Sequence, residues 1–432
     1  METKQIISRM IAEHDANRTL YESMDRYYKG DHDILYNYKK FANQGNSQNV
    51  IVDNYINKFV NEEVQYSLGN PLNYVPMTDD KSIADAVYSN LFHWKDNHNQ
   101  ELMRVLEIFG KAYLLHYIDA KGRFCERIVS PYQGIEYCDT DDVPQIFIHF
   151  YKLKYDETQY RDVYYSDGTI ETYKNGTLIA KKKHLFSGVP VTVCKLDRIE
   201  DTIYFKIKEL QDGYNQILSD QVNTISDYRN AYLVITGALA DSDTEKQLRE
   251  HGIINVPVAN GQAGVKWLVK DMPDAYINNM INNLRNAMYS SCNHIDGNEK
   301  LQSNTSGTAL RNRLVFLEQR CNMMLDIIID AVYERLARLF EYLAFKGYVF
   351  DWHNIKVVAN PSIPKDELTT VQMLSQLGIG SNISLETALS LLPFVENPTN
   401  EINKINAERE QSKNIELDKL DYDDDDMTGG DA

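Results

Sequence analysis

Nowhere in the 432 residues does an apolar run reach eighteen, so the sequence offers no membrane-spanning helix. The stretch from Met1 to Arg18 is polar and charged and lacks the apolar centre of a secretory leader, so no export signal is expected. Cysteine is sparse: Cys125, Cys138, Cys194, Cys292 and Cys321 are far apart and odd in number, with no metal-ligand or redox spacing. Free thiols in a reducing compartment are therefore expected. Positive charge is also short, since 45 Lys and Arg face 63 Asp and Glu for a net charge of -18. A protein that grips duplex DNA needs clustered cations to neutralise phosphates, and this balance argues against that class. Part of the excess is local: Asp421, Asp423, Asp424, Asp425, Asp426 and Asp431 crowd the last twelve residues, yet the remainder is still acidic.

The signatures of common chemistries are missing too. There is no Gly-x4-Gly-Lys-Ser/Thr phosphate loop, and Gly378-Ile-Gly380 lacks the third glycine of a dinucleotide fingerprint. No His-Glu-x-x-His occurs. His93 and His98 are five apart, which on one helix points them to different faces. Asp31-His-Asp33 is the most ligand-like triplet and could hold a divalent ion or a carboxylate–imidazole pair. At the end of a helix it is explained more simply as a stop with solvated charges. No catalytic residue, metal or cofactor is nominated. The 29 tyrosines spread over acidic and neutral stretches, which suits core edges and subunit interfaces better than base stacking.

Periodicity predicts an α+β chain. Residues 1–29 pattern as a helix that breaks at Gly30-Asp31, and a polar loop over 43–49 leads to an apolar segment, Ile51 to Val64. Gly69-Asn-Pro71 marks a turn, and one amphipathic helix is predicted over 81–108. From 111 to 195 the pattern is strand-like, with runs at 111–118, 123–129 and 145–153. A meander follows, punctuated by Asp167-Gly168 and Asn175-Gly176. Helix returns at 204 with a stripe of Ile207, Leu210, Tyr214, Ile217, Ile225, Tyr228 and Tyr232. Short apolar runs between 233 and 273 suggest a small α/β insertion. A helix over 274–294 precedes a polar loop, and the longest helical pattern covers 308–346, about 58 Å at 1.5 Å per residue. A strand at 355–359 leads to terminal helices, one opened by Ser384 as N-cap. The acidic end, 421–432, is expected to be disordered.

Five ordered blocks resemble the portal proteins of tailed double-stranded-DNA phages, in the siphophage type of Gram-positive hosts. They are Tyr27-Tyr-Lys-Gly-Asp-His32; Asn54-Tyr-Ile-Asn-Lys-Phe-Val60 with Ser67-Leu-Gly-Asn-Pro71; Lys208 to Asp220; Ser306-Gly-Thr-Ala-Leu310 with Leu317-Glu-Gln319; and Ser384 to Leu389 with Leu392 to Pro398. The resemblance covers residues 20–410. It implies a portal fold, with a β-rich wing (1–203), stem helices (204–230 and 274–294) and a clip between them (231–273). It further implies a channel loop (295–306), a long helix with wing return (307–361) and a helical crown (362–420). Asp296, Asn298, Glu299, Lys300, Gln302, Asn304, Thr305 and Ser306 would be the channel-loop residues. The implied function is a non-enzymatic ring of about twelve copies at a capsid vertex, passing double-stranded DNA without sequence specificity. Implied partners are the terminase large subunit, the head–tail adaptor, and the major capsid and scaffolding proteins. The implied location is the virion, with assembly in the host cytoplasm and no membrane. The competing class, a nuclease or motor of the packaging machinery, lacks its phosphate loop and its basic residues.

Overall fold

A computed structural model of the chain describes residues 3–41, 48–78, 80–228, 232–236, 264–268, 274–296, 307–361, 376, 383–390, 401–402 and 404–408. The chain divides into two units, Met1–Thr305 with Ala309–Ser362, and Ser306–Thr308 with Ile363–Ala432.

The first unit is α+β, as the patterns predict. Helices α1 (Thr3–Lys29), α2 (Ile34–Phe41) and α3 (Tyr55–Leu68) are followed by strand β1 (Asn73–Pro76). The single helix expected over 81–108 is two, α4 (Ser82–Leu91) and α5 (His98–Phe109). The break is a tight turn in which Trp94 N–H bonds the Leu91 carbonyl and His98 N–H that of Lys95. It frees Trp94 to stack on Phe124 at 6.0 Å, a tertiary contact that outweighs the local helical pattern. Gly110 ends α5 at φ +71 and bonds back to Leu106. A Cβ there would lie 3.1 Å from Thr202 Cγ2, so both space and backbone require glycine.

Two antiparallel sheets follow. β2 (Lys111–Ile118), β3 (Phe124–Val129) and β9 (Val191–Lys195) form one in the order β3-β2-β9. β4 (Gly134–Cys138), β5 (Pro144–Lys152), β6 (Gln159–Tyr165), β7 (Thr169–Lys174) and β8 (Thr177–Lys183) form the other in chain order, a meander. The predicted turns lie where they were placed. Asn175 and Gly176 both have positive φ, as a two-residue hairpin requires. Ile135, Ile146, Ile148, Phe150 and Val163 of this sheet bury against Met10 of α1.

Helix α6 (Ile203–Tyr228) packs against α7 (Asp274–Ser291). Tyr232, assigned by periodicity to the α6 stripe, instead begins β10 (Tyr232–Thr236), which pairs antiparallel with β11 (Gly264–Leu268). Ile225, from the same stripe, is 60% exposed. α8 (Gly307–Phe345) lies within one residue of its expected span at each end. Met324, Ile328, Val332, Leu336 and Leu339 of α8 join the main core, which also takes Phe59 and Val60 of α3 and Leu102 and Leu106 of α5. β12 (Ile355–Val358) returns to pair with β1. In the second unit, α9 (Leu385–Ser390) begins directly after Ser384, whose carbonyl accepts from Ala388 N–H at 3.0 Å.

Candidate functional site

Within the largely apolar core of the first unit lie three buried polar groupings. The first is a ladder. Gln211, Asn215, Ser219 and Asn223 recur every four residues, so they form one row on α6, and all are buried. Against them runs an extended segment whose alternate amides point the same way. Asn49 N–H donates to Asn223 Oδ1 at 2.7 Å, Ile51 to Ser219 Oγ at 3.0 Å, Asp53 to Asn215 Oδ1 at 3.0 Å and Tyr55 to Gln211 Oε1 at 2.8 Å. Gln211 and Asn223 amides donate back to the carbonyls of Asp53 and Asn49. The helix thereby satisfies backbone that would otherwise be buried without partners.

This ladder absorbs the Asp31-His-Asp33 triplet. His32 is buried, stacks on Tyr27 at 4.5 Å, and its Nε2 lies 3.0 Å from the Tyr27 carbonyl. A carbonyl can only accept, so Nε2 carries the proton and Nδ1 accepts from Asn215 Nδ2 at 3.0 Å. Burial lowers the His32 pKa, in keeping with that neutral tautomer. Asp33 bonds Arg26 and lies 3.8 Å from Lys208, while Asp31 accepts from Tyr36 at 2.6 Å. The helix stops there as expected, but the triplet is not merely solvated charge: the imidazole is a buried structural post, and the carboxylates are divided between partners. Among the described residues no three His, Cys, Asp or Glu side chains converge as metal ligands.

The second grouping stands at the root of 295–306. Just past α7, Asn293 turns the chain at φ +59 and sends His294 into the core, where it stacks on Phe59 at 4.2 Å. His294 Nδ1 lies 2.8 Å from Glu62 Oε2 and Nε2 lies 2.9 Å from Glu63 Oε1. Both nitrogens face carboxylates, so both are donors and the ring is an imidazolium. Burial alone would lower its pKa, but the bonds to Glu62 and Glu63 prevail and raise it. From α8, Arg320 Nε reaches both oxygens of Glu63 at 2.7 and 2.9 Å, Nη2 reaches Glu107 Oε2 at 3.2 Å, and Nη1 donates to the Asp201 carbonyl at 3.0 Å. Glu63 is held ionised by Arg320 and His294 against its burial. Glu107, pushed up by burial and by the Glu63 charge, keeps its proton. Its Oε1 is buried without a hydrogen-bond partner.

The third is closed. Arg335, fully buried on α8, forks onto Glu126 at 2.8 and 2.9 Å, donates to Asn99 Oδ1 at 2.8 Å and lies 5.0 Å from the Trp94 ring centre. His98 Nε2 is 2.9 Å from the same Glu126. His93 and His98, expected on different faces of one helix, lie in the α4–α5 break and at the first residue of α5, and line one cleft of about 560 Å³, with His93 Nε2 3.5 Å from Cys125 Sγ.

Of the residues assigned to the channel loop, Asp296 is seen, paired with Arg285 of α7. Asn298, Glu299, Lys300, Gln302, Asn304, Thr305 and Ser306 lie outside the described residues. The five groups that hold the root of that loop, Glu62, Glu63, Glu107, His294 and Arg320, were missed. Their signal was present: Glu63 falls between Val60 and Val64, and Arg320 between Leu317 and Cys321, charges set into apolar stripes.

Comparison with known proteins completes the picture. The family described as phage portal protein, SPP1 Gp6-like, matches residues 7–414. The portal protein of Bacillus phage SPP1 is 24% identical over 460 residues, covering 96% of this chain and 88% of that one. Among solved structures, a chain from the virion of a native gene transfer agent particle overlays with TM-score 0.46 at 12% identity, covering 78% of this chain and 89% of that one. Another, from the neck of an empty particle, overlays with TM-score 0.46 at 12% identity, covering 79% and 90%. With a match that runs through nearly its whole length, the chain belongs to the SPP1 Gp6-like family of phage portal proteins.

Proposed function

We propose that copies of this chain, twelve to a ring, enclose the passage by which double-stranded DNA enters and leaves a capsid. Family membership over residues 7–414 is the observation that carries this reading. The ring occupies one vertex, is assembled in the host cytoplasm, and docks the terminase large subunit and then the head–tail adaptor. It also contacts the major capsid and scaffolding proteins. It performs no catalysis; the ATP-driven work belongs to another protein.

The regional assignment, wing, stem, clip, channel loop, long helix and crown with the boundaries given above, is supported by chain order. A long helix, a strand pair, a second helix and a 39-residue helix follow one another between Ile203 and Phe345. The His294 and Asp296 pairings give 295–306 a fixed root on α3 and α7. An acidic chain suits a wall that lets a duplex slide, because each fixed cation bound to phosphate would add a salt-dependent barrier.

Negative-stain microscopy of the purified protein tests the reading. Rings with a central hole are expected, and their symmetry gives the copy number. Compact monomers that cut linear duplex DNA with magnesium, or that turn over ATP, would overturn it. Shortening 295–306 should leave rings intact and impair DNA packaging or retention. Deleting residues 242–252 should weaken terminase or adaptor docking.

A further inference from the structure

The five-stranded meander ends in an open edge. Its order leaves the outer side of β8 without a neighbouring strand among the described residues. From Thr177 to Lys183 every residue except Ala180 is exposed, including Leu178 at 48% and Ile179 at 54%. Lys181-Lys-Lys183 is the one run of three consecutive basic residues in a chain of net charge -18. Successive strand residues point to opposite faces. Lys181 and Lys183 therefore flank the edge on one face and Lys182 on the other; at Ile179 the register with β7 slips by one residue, so the alternation does not carry through to Leu178 and Ile179. A strand laid alongside would meet two exposed apolar groups at one end and ammonium groups on both faces at the other. Lysines on an edge often serve only to repel other strands. That role leaves two exposed β-forming side chains on the same edge unexplained.

We propose that β8 is a docking edge for an extended acidic segment of a different polypeptide, added as a sixth strand. Main-chain bonds to β8 hold it, its carboxylates lie across from Lys182 and Lys183, and its apolar residues cover Leu178 and Ile179. Lys181 is already engaged by Glu171 of β7 at 3.1 Å. Laid antiparallel, as every pairing in this sheet is, the segment carries its carboxylates first and its apolar residues second. Duplex DNA, the other polyanion available, is disfavoured by the acidity of the chain. The proposal does not depend on ring formation.

The test is fluorescence anisotropy with the full-length protein. The probe is a labelled peptide whose first half is Glu and Asp and whose second half alternates Val and Thr; its control carries Lys in the acidic positions. The acidic peptide should bind and the control should not, with affinity falling as salt is raised. Lys182→Glu with Lys183→Glu should weaken binding at least tenfold, and Lys182→Arg with Lys183→Arg should retain it, both with unchanged circular dichroism and melting temperature. No binding to the unaltered protein, or equal binding to the charge-reversed variant, overturns the proposal. So does tighter binding of a short DNA duplex that the same reversal abolishes. Tighter binding of a peptide copied from residues 415–426 would make a second copy of this chain the occupant, and the foreign partner would be wrong.

Discussion

Arg320 and Arg335 project from the same helix about four turns apart and bury their charge in different ways. Around Arg335 one carboxylate meets one guanidinium fork, Asn99 takes a third bond, and both Glu126 oxygens are engaged. Glu126 is held well below the usual carboxylate range, because Arg335 outweighs the effect of burial. Around Arg320 two carboxylates compete for one guanidinium, and the balance closes only when Glu107 and His294 both hold protons. The neighbouring histidines differ accordingly. Burial, with Arg335 beside it, keeps His116 neutral and lowers its pKa, whereas His294 is raised. A closed pair makes a permanent clamp between α8, α5 and β3. An open one makes a fastening whose strength follows the proton concentration, and it sits where 295–306 departs from the core.

The sharpest way to break that contrast is to remove Arg335. Arg335→Met should cost about 3–5 kcal/mol in denaturant unfolding, since it strands a buried carboxylate. Next in size is Asn215→Leu, which leaves the Asp53 amide and His32 Nδ1 without partners and should cost about 1–3 kcal/mol in the same measurement. The pH dependence of stability should then separate the two histidines. A raised folded pKa means His294 contributes fully below its unfolded value of about 6.5, and the contribution is lost as pH climbs through the folded value. A lowered folded pKa means His116 contributes above about 6.5, and the contribution is lost as pH falls toward its folded value. His294→Gln should therefore flatten the alkaline fall of the stability curve and His116→Gln the acid fall. Identical slopes in the two variants would end the comparison. The smallest effect belongs to Glu107→Gln, which replaces a carboxyl already neutral and should change stability by less than about 1 kcal/mol at neutral pH, a result checked by the same denaturant titration.

Much of the scaffold was legible because it depends on local repetition. The 4-3 spacing from Leu310 to Ile328 located α8, and Asp167-Gly168 and Asn175-Gly176 located the hairpins, since period and turn chemistry are written in adjacent residues. The family blocks carried the function. The α4–α5 break escaped because its cause, a place for Trp94 beside Phe124 and Arg335, lies in distant segments. The charged cores escaped for the same reason: Glu63 and Arg320 are 257 residues apart, and periodicity shows which face a residue occupies but not what it meets there. On α6 the apolar stripe is visible in the sequence, while nothing local marks the polar row Gln211, Asn215, Ser219 and Asn223 as buried.

That row has a geometric limit. Two extended residues advance about 6.7 Å while four helical residues advance about 6.0 Å, so each rung drifts by about 0.7 Å against the last. Over the three intervals from Tyr55 to Asn49 the mismatch grows to about 2 Å, beyond the tolerance of a hydrogen bond, and side chains of unequal reach take it up, since all four rungs measure 2.7–3.0 Å. The two scales act as a vernier. They coincide only over a short window, so the segment cannot slide along the helix by a rung without losing its fit at one end. A contact made wholly of small polar groups thereby acquires a register as definite as that of a packed core.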